Sequence, residues 1–308
     1  DLGYDVLLSN RIFDSLLFWK YDILFSYFYR YSFFAALLAK CFGKKTYFTG
    51  GIDSLDSDYA SAFNYKIQAL FFKLCYWVAD SCIIVSQSDL KNIFKVSSLK
   101  KKLSYSEHVI NTKLFIADVP KEKIFTSIVW MGDEGNVVRK GVDKALQIFA
   151  ELKKIPEFVD YRFVIIGRKG EGEVLVRSII DKYNLKGSVE LKGEVSEEDK
   201  INLLKQSKYY FQLSLYEGFG LAALEALCAN NIIIHSGKGG LANPIYKEQL
   251  LFDIDNDFDS ELLKLVNKLA CFTPITSYDN LLEYYDIQRR KDDFEAIIVN
   301  GKSNYKLK

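Results

Sequence analysis

Short apolar runs alternate with longer amphipathic ones along most of the chain. "YDVLLS" (4–9), "YDILFSYF" (21–28), "KTYFTGG" (45–51) and "SCIIVS" (81–86) read as strands, with helix-length segments near 31–42 and 60–79 and another helix at 87–95. The series then restarts. "KIFTSIVWMG" (123–132), "YRFVIIG" (161–167), "SVELKG" (188–193), "YYFQLS" (209–214) and "NIIIHS" (231–236) have strand character, and "GVDKALQIFAELKKI", "EVLVRSIIDKYNL" and "SEEDKINLLKQS" between them have helical periodicity. Strands that are apolar on both faces and separated by helices predict parallel sheets covered on both sides. Two α/β units joined near 112–123 is the economical reading, and from about 278 the chain reads as charged and helical.

The length of 308 residues and the 49% hydrophobic content suffice for a core in each of two domains. With 41 basic against 40 acidic side chains there is no excess of positive charge to suggest a nucleic-acid binder. The five cysteines form no C-x-x-C pair and sit in apolar contexts, so they read as buried free thiols in a reducing compartment. With only two histidines, no metal site is expected. No apolar run reaches the roughly 18–20 residues of a membrane span; residues 15–40 come nearest and are broken by Lys20, Asp22 and Arg30. No signal peptide is recognisable, and since Met131 is the only methionine, the chain is expected to be part of something longer.

In a parallel α/β sheet, ligands bind where strands lead into helix N-termini. One such junction carries unusual chemistry: "LYEGFGLAALEAL" (215–227) follows a strand and places Glu217 in a glycine turn and Glu225 within an apolar helix. The turn leaves the amides of Gly218, Phe219, Gly220 and Leu221 bare at the helix start, an arrangement suited to phosphate. Glu217 cannot bind phosphate, but it can accept hydrogen bonds from a hydroxylated ligand that the phosphate carries. Glu225, eight residues on, projects in roughly the same direction, and a ribose would supply the hydroxyls that a carboxylate in apolar surroundings needs. The competing interpretation makes Glu217 a turn residue and Glu225 a solvent-facing one.

"EGFGLAALEAL", with "YYFQLSLY" before it and "IIIHSGKGG" after it, resembles the E-x7-E signature of the retaining glycosyltransferases of family 4, which have the GT-B fold. "WMGDEGNVVRKGVDKALQIFAEL", "YRFVIIGRKGEGE" and "GKGGLANPI" follow in that family's order; residues 123–250 match well and the N-terminal third loosely. The resemblance implies two Rossmann-like α/β domains facing across a cleft. Residues 1–120 would form an acceptor domain that lacks the usual first strand and glycine loop. Residues 121–285 would bind the nucleotide sugar, and 286–308 would be a helical segment packing back on the first domain. It implies that Arg139 and Lys140 offset charge on the departing diphosphate, that Glu217 touches the donor sugar and Glu225 the ribose, and that Val195 and Glu197 lie near the base. Read alone, "RKG" is an exposed turn, and Glu197 is an N-terminal acid after the Ser196 cap.

Several departures qualify the expectation. The family's Gly-x-Pro after the helix reads Asn230-Asn231-Ile232, where asparagine can still take the left-handed conformation. The acid after "GKGGL" is replaced by Asn243, and the first-domain histidine is replaced by Gly50-Gly51. Asp53 and Asn111 are candidates for loops facing the cleft. His108 reads as a linker residue, and His235 ends a strand near the donor pocket. The leading expectation is a retaining, metal-independent transferase without cofactor, using a UDP- or GDP-linked sugar. It would act on a glycan or lipid-linked glycan in bacterial surface polysaccharide synthesis. A cytoplasmic location, peripheral on the inner membrane face through aromatics and the basic stretch Lys95–Lys102, goes with that reading. The alternative is a degenerate relative that scaffolds another transferase. A dehydrogenase is excluded because "GRKGEG" (167–172) lacks dinucleotide-binding spacing.

Overall fold

The computed structural model describes residues 5–6, 14, 17–27, 29–50, 55–57, 60–98, 100–116, 119–272, 279–299 and 301. The chain divides into two compact units, residues 1–109 with 287–308, and residues 110–286. Most of the run at 4–9 lies outside the described residues.

In the first unit, β1 (Ile23–Tyr27), β2 (Lys45–Thr49), β3 (Ser81–Ile84) and β4 (Leu103–Tyr105) form a parallel sheet in sequence order. Helices α1 (Tyr29–Cys41), α2 (Ala62–Val78) and α3 (Gln87–Val96) connect them. Ser61 and Ser86 start α2 and α3 by accepting the amides of Asn64 and Asp89 with their hydroxyls. Phe48, Phe72, Cys75, Cys82 and Ile93 fill the core beneath these helices. β4 is unexpected from the pattern, because its three residues follow directly on Lys100–Lys102 and carry no alternation of their own.

The second unit contains β5 (Glu122–Ile128), α4 (Glu134–Arg139), α5 (Val142–Leu152), β6 (Arg162–Ile166), α6 (Glu173–Lys182) and β7 (Val189–Gly193). There follow α7 (Glu197–Gln206), β8 (Ser207–Gln212), α8 (Leu221–Cys228), β9 (Ile232–His235), β10 (Leu250–Leu251), α9 (Phe258–Cys271) and α10 (Asp279–Tyr284). Its six parallel strands lie in the order β10-β9-β8-β5-β6-β7. From the other edge this is the doubly wound order, and the order in which strands are added reverses between β5 and β8. One face of the sheet buries Phe125, Phe149, Phe163 and Phe211, and the other buries Tyr210, Leu224, Leu227 and Ile233. On α6, Val176 and Ile180 are buried and Val174 is exposed.

Helix α8 ends as the asparagine pair suggests. Asn230 is left-handed (φ 61°), its amide reaches Leu227 O at 3.0 Å, and Asn231 N reaches Ala226 O at 2.9 Å. These two bonds form a Schellman closure with asparagine in glycine's usual place. After the second unit, α11 (Ile287–Phe294) returns to the first, where Ile297 and Ile298 bury against Tyr47 and Ile83. Cys75, Cys82 and Cys228 are buried free thiols, whereas Cys41 and Cys271 are exposed, each as the last residue of its helix. The expectation of uniform burial is corrected for those two.

Candidate functional site

The site lies at the reversal point of the second sheet, where the segments after β5 and β8 run side by side. After β5, Asp133 caps α4 by accepting the Asn136 amide at 2.7 Å, and the short helix ends in Arg139, Lys140 and Gly141. Gly141 has φ +69°, and a Cβ on it would lie 2.0 Å from the Leu213 carbonyl oxygen. Only glycine allows that approach. Immediately beside it, Leu215 N donates to Arg139 O at 2.8 Å. The turn is thus fastened to the end of β8, and Lys140 Nζ reaches Glu217 Oε2 at 2.6 Å.

Glu217 is well supported. Besides Lys140, its Oε2 accepts Gln212 Nε2 and Ser214 Oγ, each at 3.2 Å. Gln212 also donates to Ser214 Oγ at 2.8 Å, and its own Oε1 accepts the buried Tyr210 hydroxyl at 3.2 Å. The Lys140 and Glu217 side chains retain 21% and 15% of their exposure, so the pair is drier than a surface salt bridge. Among the described residues Oε1 of Glu217 accepts nothing, and it is the oxygen available to a ligand. The Lys140 ammonium likewise keeps two of its three donors. Arg139 is oriented by a neutral partner: its Nε and one terminal nitrogen donate to Asn136 Oδ1 at 3.2 and 2.6 Å. Among the described residues no carboxylate pairs with it, so its positive charge stays available. Asn136 is held in turn by donating to Trp130 O.

The turn at 218–221 takes its shape from behind. Gly220 (φ +88°) precedes α8 and no side chain caps the helix. A Cβ on Gly239 or Gly240 would lie 2.2 Å from Glu217 O or 2.5 Å from Phe219 Cα, so the loop after β9 presses its backbone against the turn. Gly240 N donates to Glu217 O at 2.5 Å. Phe219 turns its ring into the core. Gly218 is open, with nothing within 4 Å of a Cβ. Leu221 is exposed at the start of the helix.

Glu225 does not sit in the core. Ala223, Leu224, Ala226, Leu227 and Cys228 point inward, whereas Leu221, Ala222 and Glu225 make the outward face. The sequence alone points to a ligand as its partner, and the structure adds a partner within the chain: Lys200 Nζ reaches Glu225 Oε1 at 2.9 Å and Glu197 at 2.8 Å. Burial raises the Glu225 pKa in spite of the neighbouring ammonium. Burial opposes the charge on Lys200, yet hydrogen bonds to Glu197 and Glu225 hold its pKa above the ordinary lysine value. Lys200 joins two of the anticipated residues, although nothing in the sequence marks a lysine 25 positions before Glu225 as its partner. Glu225 Oε2 has no hydrogen bond among the described residues. Val195 is half-buried against the cluster of Ile124, Val164, Ile166 and Leu203.

The remaining candidates fall in both units. Gly50 follows β2 with φ +67°, and Gly51 and Asp53 lie outside the described residues. Asn111 is exposed ahead of a single 3₁₀ turn and makes no side-chain cap. His235 is 5% exposed, beside the Tyr246 ring, and burial lowers its pKa to about 4, so it is neutral and offers no charge to phosphate. His108 Nδ1 is 2.8 Å from an Arg290 nitrogen, and burial, then that guanidinium, lower it to about 4. Among the described residues no group of three His, Cys, Asp or Glu could hold a metal ion.

Residues 135–270 match the family model of glycosyl transferases group 1. The GDP-mannose:cellobiosyl-diphosphopolyprenol alpha-mannosyltransferase of Xanthomonas oryzae is 32% identical over 163 residues, 46% of this chain and 40% of that protein. One component of the human phosphatidylinositol N-acetylglucosaminyltransferase is 30% identical over 105 residues, 34% of this chain and 21% of the relative. The chain therefore spans less than half the length of either relative. In overall structure it is similar to Anabaena HepE in complex with UDP-glucose (TM-score 0.73, 12% identity, 94% of this chain and 80% of that one). It is also similar to sucrose-phosphate synthase from Thermosynechococcus elongatus (TM-score 0.67, 20% identity, 92% and 72%). The fold is that of the GT-B glycosyltransferases, and the segment holding Arg139, Lys140, Glu217 and Glu225 is related to the group 1 enzymes.

Proposed function

We propose that the chain is a retaining glycosyltransferase of the E-x7-E type that takes its sugar from a UDP- or GDP-linked donor. The observation that carries this reading is the Lys140–Glu217 pair, 2.6 Å apart at the sheet's reversal point and next to the uncapped start of α8. The donor diphosphate lies along the amides of Gly218 to Leu221, with Lys140 and Arg139 as counter-charge. Glu217 Oε1 accepts from a hydroxyl of the sugar. Glu225, held by Lys200, accepts from the ribose, and Val195 and Glu197 flank the base. The bond from the anomeric carbon to the phosphate oxygen breaks as the acceptor oxygen bonds to the same face of that carbon. The leaving phosphate oxygen takes the acceptor proton, so no protein base is required. Stabilising the departing charge is the protein's main task, and with two cations and a helix start it needs neither metal nor cofactor.

The relatives' activities, mannosyl transfer from GDP-mannose and N-acetylglucosaminyl transfer, support a nucleotide-sugar donor and a lipid-linked or glycan acceptor. We place the reaction at the cytoplasmic side of surface-glycan assembly. A second reading, a scaffold that has lost turnover, draws on the in-chain partners of both glutamates, Lys140 and Lys200, which satisfy them without a ligand.

Slow donor hydrolysis separates the two. With α-linked UDP-glucose or GDP-mannose in EDTA, NMR is expected to show the α-anomer as the first free sugar, before mutarotation. First appearance of the β-anomer rules out retention. Intact donor alongside measurable nucleotide binding moves the conclusion to the scaffold.

A further inference from the structure

We infer that the donor's base is guanine, stacked on Trp130 and read by Arg168. This rests on the nucleotide-sugar reading above and narrows the donor to a guanosine diphosphate sugar. Two backbone bonds carry the pairing of β5 and β6 past the ends of both strands: Val129 N donates to Ile166 O and Met131 N to Arg168 O, each at 2.9 Å. With Ile128 opposite Ile166, Trp130 and Arg168 then come opposite one another, at the carboxyl ends of adjacent strands. Ile128 packs with Val195 on the cluster of Ile124, Val164, Ile166 and Leu203. Trp130, two residues beyond Ile128, extends the same face of the sheet, toward Val195 and the base. Its carbonyl accepts from Asn136, which also holds Arg139. One side chain thus joins the Trp130 backbone to the diphosphate end of the site.

The indole is seated as a platform. A Cβ on Gly132 would lie 2.6, 2.7 and 3.1 Å from three consecutive atoms of its six-membered ring. Distances so similar mean that Gly132 backs the face of the ring, since an edge-on approach would favour one atom. Trp130 is nevertheless 56% exposed, so the opposite face is open. An open aromatic face at the carboxyl end of a parallel sheet suits a stacked nucleobase. A purine covers both rings of an indole, a pyrimidine about one.

Hydrogen bonding then chooses between the purines. Arg168 is exposed, and among the described residues it forms no ion pair, although the same and the next loop carry Glu171 and Glu194. Lys169 lies alongside with its stem over Gly193, where a Cβ would be 2.8 Å from Cε. A guanidinium offers parallel N–H donors and no acceptor. Guanine has two adjacent acceptors, O6 and N7, that match this fork. Adenine sets an amino group beside N7, and uracil an N–H beside O4, so each turns a donor toward one prong. Cytosine has adjacent acceptors but only a single ring to stack.

The test is calorimetric titration of GDP, UDP, ADP and CDP, and of 7-deaza-GDP, in which a carbon replaces N7. Wild type is expected to bind GDP at least about tenfold more tightly than the other three nucleotides, and 7-deaza-GDP about tenfold more weakly than GDP. Arg168→Lys keeps the charge but loses the fork, and is expected to bind GDP and 7-deaza-GDP alike. Trp130→Ala is expected to weaken GDP by about tenfold or more. Gly132→Ala keeps the indole but takes its seat, and should weaken GDP in the same direction. Trp130 and Arg168 are exposed, so urea midpoints should not change; if Trp130→Ala does not fold, the Arg168→Lys comparison decides. Tighter binding of UDP, ADP or CDP than of GDP, 7-deaza-GDP binding as GDP does, or variants that bind GDP as wild type does overturns the base assignment and leaves the donor site standing. No binding of any nucleotide by folded wild type refutes the nucleotide-sugar reading itself, and the base assignment with it.

Discussion

Lys140→Met is expected to lower kcat about a hundred- to a thousandfold, the range seen when a group that stabilises leaving-group charge is removed. The substitution keeps a side chain of similar length but removes the ammonium 2.6 Å from Glu217. Two effects add: the departing diphosphate loses a cation, and Glu217, with 15% of its side chain exposed, loses its charge partner. Gln212 and Ser214 remain to hold the carboxylate, so its position should survive better than the chemistry does. Lys140→Arg is expected to recover part of the rate, because it restores charge with a different shape. Single-turnover kinetics separates the chemical step from binding. A Lys140→Met enzyme that turns over at the wild-type rate would remove this residue from the mechanism.

Gly141→Ala is expected to cost about 3 kcal/mol or more, a loss of roughly 6–12 °C in Tm for a unit of this size. At φ +69° the new Cβ would lie 2.0 Å from the Leu213 carbonyl oxygen, so the loops after β5 and β8 must separate. The same separation breaks the Leu215–Arg139 backbone bond and draws Lys140 away from Glu217, so nucleotide affinity should fall too. Gly218→Ala is the control for stability, since nothing lies within 4 Å of its Cβ. Urea unfolding with equal m-values makes the comparison. Equal midpoints for Gly141→Ala and wild type would mean that the turn is not fastened to the strand as described.

Much of the fold can be read in the sequence, because strands buried on both faces leave apolar runs that no helix-period pattern imitates. The restart at 123 is legible for the same reason. The strand at 103–105 is hidden by its brevity and by the lysines before it. The site is half legible. Glu217, the glycine turn and the RKG turn announce themselves as local motifs. Their supports do not, because they become neighbours only when strands pair. Gln212 and Ser214 look like ordinary strand-end residues, and Lys200 like one more charge on an amphipathic helix. Glu225 is legible as a candidate but its partner within the chain is not: the apolar run hides an outward helix position that has a lysine beside it. Lys121 is the extreme case. It reads as a linker cation, yet its Nζ donates to the carbonyls of Leu204, Lys205 and Ala229 at 3.3, 2.9 and 2.5 Å. It closes the ends of α7 and α8 together, and burial lowers its pKa to about 8.

The most direct test of the central claim is a calorimetric titration of UDP, GDP and ADP into wild type and Glu225→Ala. One nucleotide should bind, and the variant should bind it more weakly by about 1–3 kcal/mol, with folding unchanged because Lys200 keeps Glu197. Equal affinity in the two proteins, or no binding of any of the three by folded wild type, would contradict a nucleotide-sugar site built on Glu217 and Glu225.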